Sequence, residues 1–95
     1  MEELRDRVLR YIRIEEEAMR KVRISVGKDS FLHTYAEDSL QMVKNYFSDA
    51  KYFLDQGDLL NSFAALNYSY GWLDSLVRLG VLDGDGDHVL FTNYK

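Results

Sequence analysis

Two matched apolar seams are the feature that most constrains the fold of this chain. In each seam an apolar residue recurs at alternating intervals of four and three positions, the spacing of coiled-coil-like helix packing. The first seam consists of Ala36, Leu40, Val43, Phe47, Ala50 and Leu54, and the second consists of Leu59, Phe63, Leu66, Tyr70, Leu73 and Val77. The turn between them contains Gly57, which suits a left-handed helix end, and Asp58, which can cap the next helix. So short a turn predicts two antiparallel helices.

A further helix is predicted upstream, over residues 2–24. Its apolar residues fall on one helical face, which only Glu15 interrupts. On the other side, acidic residues precede basic ones by four positions, as Glu3 precedes Arg7, which favours an exposed helix surface. The next helix begins after Gly27, where either Asp29 or Ser30 could cap it, or Thr34 with Glu37 could form a capping box.

Length and composition complete the fold prediction. The 95 residues are 46% hydrophobic and include no proline, so the helices are uninterrupted and one small core can form. We expect an all-α, up-and-down antiparallel three-helix bundle over residues 1–82. A C-terminal tail over residues 83–95, short and irregular or β-like, would be packed on the bundle or flexible, and residues 89–92 form its β-like run.

The composition excludes several kinds of chemistry. Without cysteine, the chain has no disulfide, no thiolate metal site and no cysteine nucleophile. Its apolar runs are far shorter than the roughly 20 residues that span a bilayer, so we expect a cytoplasmic protein without membrane association.

The two histidines, His33 and His88, lie in different loops with no serine and acid at a recognisable spacing. No residues converge on a catalytic set, and we expect neither a cofactor nor an enzyme, although catalysis stays open.

An acidic turn near the C-terminus is a weak candidate metal site. Asp83, Asp85 and Asp87 alternate with glycine, and carboxylates on such a loop can bind calcium. The EF-hand pattern fails, because His88 occupies the place of its glycine and Tyr94 the place of its bidentate glutamate. A solvated acidic turn is the favoured interpretation.

The charge distribution raises a nucleic-acid alternative. Residues 1–28 carry eight Lys and Arg against six Asp and Glu, whereas residues 29–95 carry four against ten. Arg10 and Arg13, with Tyr11 nearby, could contact the phosphates of RNA or of a nucleotide. Acidic residues interleaved at pairing distance cancel most of this local potential, so a salt-bridged helix surface is favoured.

The last helix carries the favoured functional candidates. A second apolar row, formed by Tyr68, Trp72, Leu76 and Leu79, could be core or could be a surface for a protein partner or a second copy. A polar stripe contains Asn67, Asp74 and Arg78. Asp74 and Arg78 could form an ion pair on the helix surface. Alternatively, the stripe could belong to a small recognition site framed by Tyr70 and Trp72. Because glycine destabilises the interior of a helix, Gly71 indicates that another backbone segment approaches α3 closely at this position. We therefore favour a non-catalytic interaction or self-association module.

Residues 30–83 resemble a known family. The phrase YGWLD followed by RLG is its most specific part. The residues that carry the resemblance are Ser30, Leu32, His33, Tyr46, Asp49, Ala50, Phe53, Gly57, Asp58, Ala64, Ala65, Leu66, Tyr70, Gly71, Trp72, Asp74, Arg78, Leu79 and Gly80. The stretch resembles the archaeal family catalogued as domain of unknown function 357. This resemblance implies a closed up-and-down three-helix bundle, with no established activity, catalytic residue or cofactor.

Overall fold

Three helices form the body of the protein. The computed structural model describes residues 2–85, with helices α1 (Leu4–Lys21), α2 (Phe31–Asp55) and α3 (Leu59–Leu79) and the two-residue strands β1 (Arg23–Ile24) and β2 (Leu82–Asp83). The α2 and α3 helices pack antiparallel as a hairpin, and α1 lies mainly on α3. The predicted three-helix bundle is confirmed.

The hairpin turn has the predicted local chemistry. Gly57 has a positive φ of 76°, which ends α2 at little steric cost because glycine has no Cβ. The Asp58 carboxylate caps α3 by accepting a hydrogen bond from the Asn61 backbone N–H at 3.1 Å. At the start of α2 the cap is Ser30, whose hydroxyl accepts from the Leu32 N–H at 3.1 Å. Ser30 is therefore the N-cap of α2, one of the alternatives that the sequence left open. Thr34 lies inside the helix and does not begin it.

The first helix is shorter than the predicted span of residues 2–24. It ends at Lys21, and Arg23–Ile24 instead pair antiparallel with Leu82–Asp83. The Ser25 hydroxyl also donates to the Gly80 carbonyl oxygen at 2.5 Å. This ribbon ties the end of α1 to the end of α3, a long-range pairing that local periodicity does not reveal. The predicted β-like run at residues 89–92 lies outside the described residues.

Two apolar clusters form the core, and both seams contribute to each of them. The lower cluster contains Val8, Ile12, Phe47, Ala50 and Leu66. The upper cluster contains Ala18, Ala36, Val43, Leu73, Leu76, Val77, Val81 and Leu82. Along α1, Glu15 lies between the two clusters, and along α3 Ser69 does the same. A buried polar layer therefore separates the halves of the core.

Candidate functional site

The second apolar row of α3 is divided between the core and the surface. Leu76 is only 2% exposed and belongs to the upper cluster, so it is not available to a partner in this conformation. Trp72 is partly buried and packs against the same cluster. Tyr68 and Leu79, by contrast, are 49% and 62% exposed. The core interpretation therefore applies to Leu76 and in part to Trp72, whereas Tyr68 and Leu79 lie at the surface.

The exposed part of this row is extended by tyrosines of α2. The rings of Tyr46 and Tyr68 meet edge to face with their centroids 4.7 Å apart. Tyr35 is exposed and lies eleven residues before Tyr46, about three helical turns away on the same face. In an antiparallel hairpin, Leu79 lies toward the same end as Tyr35, because it follows Tyr68 by eleven residues. We call these residues the aromatic strip: Tyr35, Tyr46, Tyr68, Trp72 and Leu79.

The aromatic strip lies in an acidic surface. Asp38 and Asp49 are exposed, and each follows a tyrosine of the strip by three residues on the same side of α2. From Asp29 to Asp85 the chain carries nine acidic residues against three basic ones. The α2 contribution was missed in the sequence, although Tyr46 flanks the first seam. Only the packing of α2 against α3 brings Tyr46 to Tyr68.

Two depressions adjoin Gly71. The shallower one, of about 300 Å³, is lined by Asn67, Tyr68, Gly71, Trp72 and Ser75. The other is a groove of about 410 Å³ between α1 and α3, lined by Arg10, Tyr11, Ile14, Asn67, Tyr70, Gly71 and Asp74. A Cβ at Gly71 would meet nothing within 4 Å, so the predicted close backbone approach is wrong. Without a side chain, Gly71 instead leaves both depressions open at this position.

The polar stripe is only partly brought together. Asn67 and Asp74 both line the groove, where they share its walls with residues of α1. The Asn67 amide donates to the Phe63 carbonyl oxygen of the preceding turn at 3.0 Å. Arg78 is exposed near the end of α3 and is not among the residues that line the groove.

Arg10 and Arg13, the two candidate residues of α1, do not converge on one site. Arg10 donates to both carboxylate oxygens of Glu2, through Nε at 3.0 Å and Nη2 at 2.9 Å. The Arg10 hydrogen bond is the main reason that the pKa of Glu2 falls to about 2. Arg13 is exposed and borders a separate surface depression that also includes Glu16 and Glu17. Carboxylates therefore alternate with these guanidinium groups in space as they do in the sequence.

Two of the candidate metal ligands, Asp83 and Asp85, take part in a turn. The Asp83 carboxylate accepts a hydrogen bond from the Asp85 backbone N–H at 2.9 Å, and Asp85 has a positive φ of 61°. Asp87 and His88 lie outside the described residues. Over residues 2–85, no group of three His, Asp or Glu side chains is placed to hold a metal ion. His33, in the first turn of α2, has its Nδ1 3.3 Å from Glu37 Oε1.

The polar layer of the core is a site that sequence reasoning missed. Glu15 is fully buried, and the Ser69 hydroxyl lies 2.5 Å from its Oε2. Its other oxygen, Oε1, is buried and has no hydrogen-bond partner within residues 2–85. Burial raises the pKa of Glu15 to about 7, and the Ser69 hydrogen bond offsets part of that rise. The sequence did contain an indication of this buried carboxyl group, because Glu15 is the one acidic residue on the apolar face of α1.

These features define a small three-helix bundle with an aromatic strip on its hairpin and a carboxyl group in its core. A family model described as "Protein of unknown function (DUF357)" matches residues 10–82, and the chain belongs to this family. The resemblance found over residues 30–83 is thus confirmed. No match was found among curated proteins or among solved structures. None of the helices within residues 2–85 is both long and apolar enough to cross a membrane.

Proposed function

We propose that this protein is a non-catalytic protein-interaction module and that the aromatic strip is its docking surface. The observation that carries the proposal is the exposed Tyr46–Tyr68 pair beside Trp72, because tyrosine and tryptophan are enriched among the residues that dominate binding energy at interfaces. These side chains bury a large apolar area and keep a polar tip for hydrogen bonding.

The central part of the strip, formed by Tyr46, Tyr68 and Trp72, is held in place before any partner binds. Trp72 packs against the upper cluster on one side, and the edge-to-face contact fixes the rings of Tyr46 and Tyr68 relative to each other. A surface that is already ordered loses little side-chain entropy on binding. This favours a docking role over a loose, adaptable contact.

The charge around the strip favours a basic partner surface. Asp38 and Asp49 flank its tyrosines, and the surrounding hairpin is acidic. A protein surface with an apolar centre and a rim of lysine or arginine complements this arrangement. A second copy docking through the same face would bring like charges together, which disfavours self-association through the strip. We therefore expect a different protein as the occupant.

The test compares two exposed tyrosines. Tyr68→Ser removes the centre of the strip, whereas Tyr52→Ser removes a tyrosine that is 60% exposed but lies outside it. A partner isolated with the wild-type chain should bind Tyr68→Ser at least about tenfold more weakly in calorimetric titration, as expected for a central aromatic contact. Tyr52→Ser should bind like the wild type, and raised salt should slow association.

Other outcomes would assign the strip differently. Equal affinity for the two variants would contradict the proposal. Sedimentation of the pure wild-type chain as a dimer, with Tyr68→Ser monomeric, would show that a second copy is the occupant.

The RNA alternative predicts binding that weakens steeply with salt and is lost when Arg10 and Arg13 are neutralised. Because Glu2 already binds Arg10, we expect no such binding.

A further inference from the structure

We infer that Glu15 is a proton-operated latch for α1: the protonated carboxyl group holds α1 against the α2–α3 hairpin, and loss of its proton weakens that docking. This inference concerns the core and does not depend on the function proposed for the aromatic strip. It rests on the position of Glu15, on its single hydrogen bond to Ser69 and on the small buried surface of α1.

The first step is the number of protons available to Ser69. Its hydroxyl lies 2.5 Å from Glu15 Oε2 and 3.1 Å from the Leu66 carbonyl oxygen. When Glu15 is ionised, Ser69 can donate its single proton to Oε2; when Glu15 is protonated, it can donate to Ser69 while Ser69 donates to Leu66. Ser69 therefore accommodates both protonation states. What opposes the ionised state is Oε1, which is buried and has no hydrogen-bond partner among residues 2–85.

The second step is the surroundings of the carboxyl group. Ile12 and Ala18 flank it on α1, and both are buried. On α2, the core residues of the adjoining clusters, Val43 and Phe47, are apolar. On α3, Ser69 is its hydrogen-bond partner, and no charged side chain of residues 2–85 contributes to the shift of its pKa. Within this part of the chain an ionised Glu15 would therefore be a buried charge without a counter-ion, which is costly.

The titratable side chains near Glu15 do not supply that charge either, because Arg13 is exposed and borders a separate depression. Tyr11, one turn before Glu15, and Tyr70, next to Ser69, both line the groove between α1 and α3. Neither tyrosine is a basic group, so neither can be the counter-ion of an ionised carboxylate. The pKa of Glu15, raised to about 7 by burial, places its ionisation in the neutral range.

The third step explains why α1 is the part that responds. Its buried residues are only Val8, Ile12, Glu15 and Ala18, so the carboxyl group occupies the centre of its contact surface. The hairpin is closed independently, because the Ser62 hydroxyl donates to the Ala50 carbonyl oxygen at 2.7 Å and the buried seams of α2 and α3 face each other. A charge at Glu15 therefore opposes the docking of α1 more than the closure of the hairpin.

Hydrogen exchange of the full chain tests the latch. Amide protection is measured by mass spectrometry at about pH 5.5 and about pH 8 and corrected for the intrinsic pH dependence of exchange. Protection in α1 should fall by roughly tenfold or more toward the higher pH, because one pKa unit corresponds to a factor of ten. Protection in α2 and α3 should fall less. In Glu15→Gln, which keeps the shape but cannot ionise, the pH dependence in α1 should disappear.

The control is Glu16→Gln, which neutralises the exposed neighbouring carboxylate and should behave like the wild type. Three results would overturn the latch: α1 protection independent of pH, an equal fall in all three helices, or pH dependence retained in Glu15→Gln. Should Glu15→Gln fail to fold, NMR titration of the Glu15 side-chain carbon in the wild type still decides. A midpoint near the ordinary glutamate value would refute the inference.

Discussion

At the scale of single residues, Glu15 is the side chain that most departs from what its surroundings favour. It is the one acidic or basic residue among the buried side chains of residues 2–85. The folded state raises its pKa from 4.5 to about 7, so the folded chain binds its proton more tightly than the unfolded chain does. Its contribution to stability is therefore full below about pH 4.5 and is lost as the pH rises through about 7.

The first prediction concerns the free energy of unfolding. Between about pH 5 and pH 8, urea titrations of the wild type should show a loss of stability on the order of 2 to 3 kcal/mol, because each pKa unit is worth about 1.4 kcal/mol. Glu15→Gln should show little of this loss and should be the more stable protein at about pH 8. Stability that rises over this range, in chains that keep the same m-value, would contradict the assigned pKa shift.

At the scale of the helix, α3 uses glycine in two opposite ways. Gly80 ends the helix with a positive φ of 96°, and its N–H donates to the carbonyl oxygens of Leu76 and Val77. Gly71 lies in the helix interior, where a Cβ would meet nothing. The first position needs glycine for its backbone conformation, whereas the second keeps a residue that weakens the helix.

The same substitution at these two positions should therefore have opposite effects. Gly71→Ala should raise the free energy of unfolding by about 0.5 to 1 kcal/mol, because alanine loses less backbone entropy in a helix. Gly80→Ala should lower it by about 1 kcal/mol or more, because a left-handed conformation is strained for a residue with a Cβ. Thermal denaturation of the two variants side by side measures both effects. A loss of stability in Gly71→Ala would show that the glycine has a packing role.

At the scale of the whole molecule, the β1–β2 ribbon joins the ends of α1 and α3. Ile24 pairs with Leu82, and Leu82 is buried in the upper cluster although it follows the last helix. Val81, beside it, is also part of that cluster. The segment after α3 thus completes the core at one end of the bundle.

Truncating the Leu82 side chain should therefore lower the free energy of unfolding as much as truncating a core residue of a helix does. We expect Leu82→Ala to lower the free energy of unfolding by about 2 to 4 kcal/mol, the usual range for a buried leucine. Leu60→Ala removes the same atoms from a largely exposed leucine and should change it by less than about 0.5 kcal/mol. Similar chemical denaturation midpoints for the two variants would mean that the ribbon does not contribute to the core.

The sequence by itself determined the three helices, the Gly57–Asp58 turn, the antiparallel hairpin and the family. The helices, the turn and the hairpin depend on neighbours within a few residues, where helical spacing, capping and glycine conformation act locally; the family was read from a longer phrase of the sequence, residues 30–83. The tertiary structure alone decided the end of α1, the burial of Leu76, the Tyr46–Tyr68 contact and the state of Glu15. Those features depend on which side chains distant parts of the chain bring together, since strand pairing, exposure and the pKa of a carboxyl group are set by surroundings that no local pattern contains.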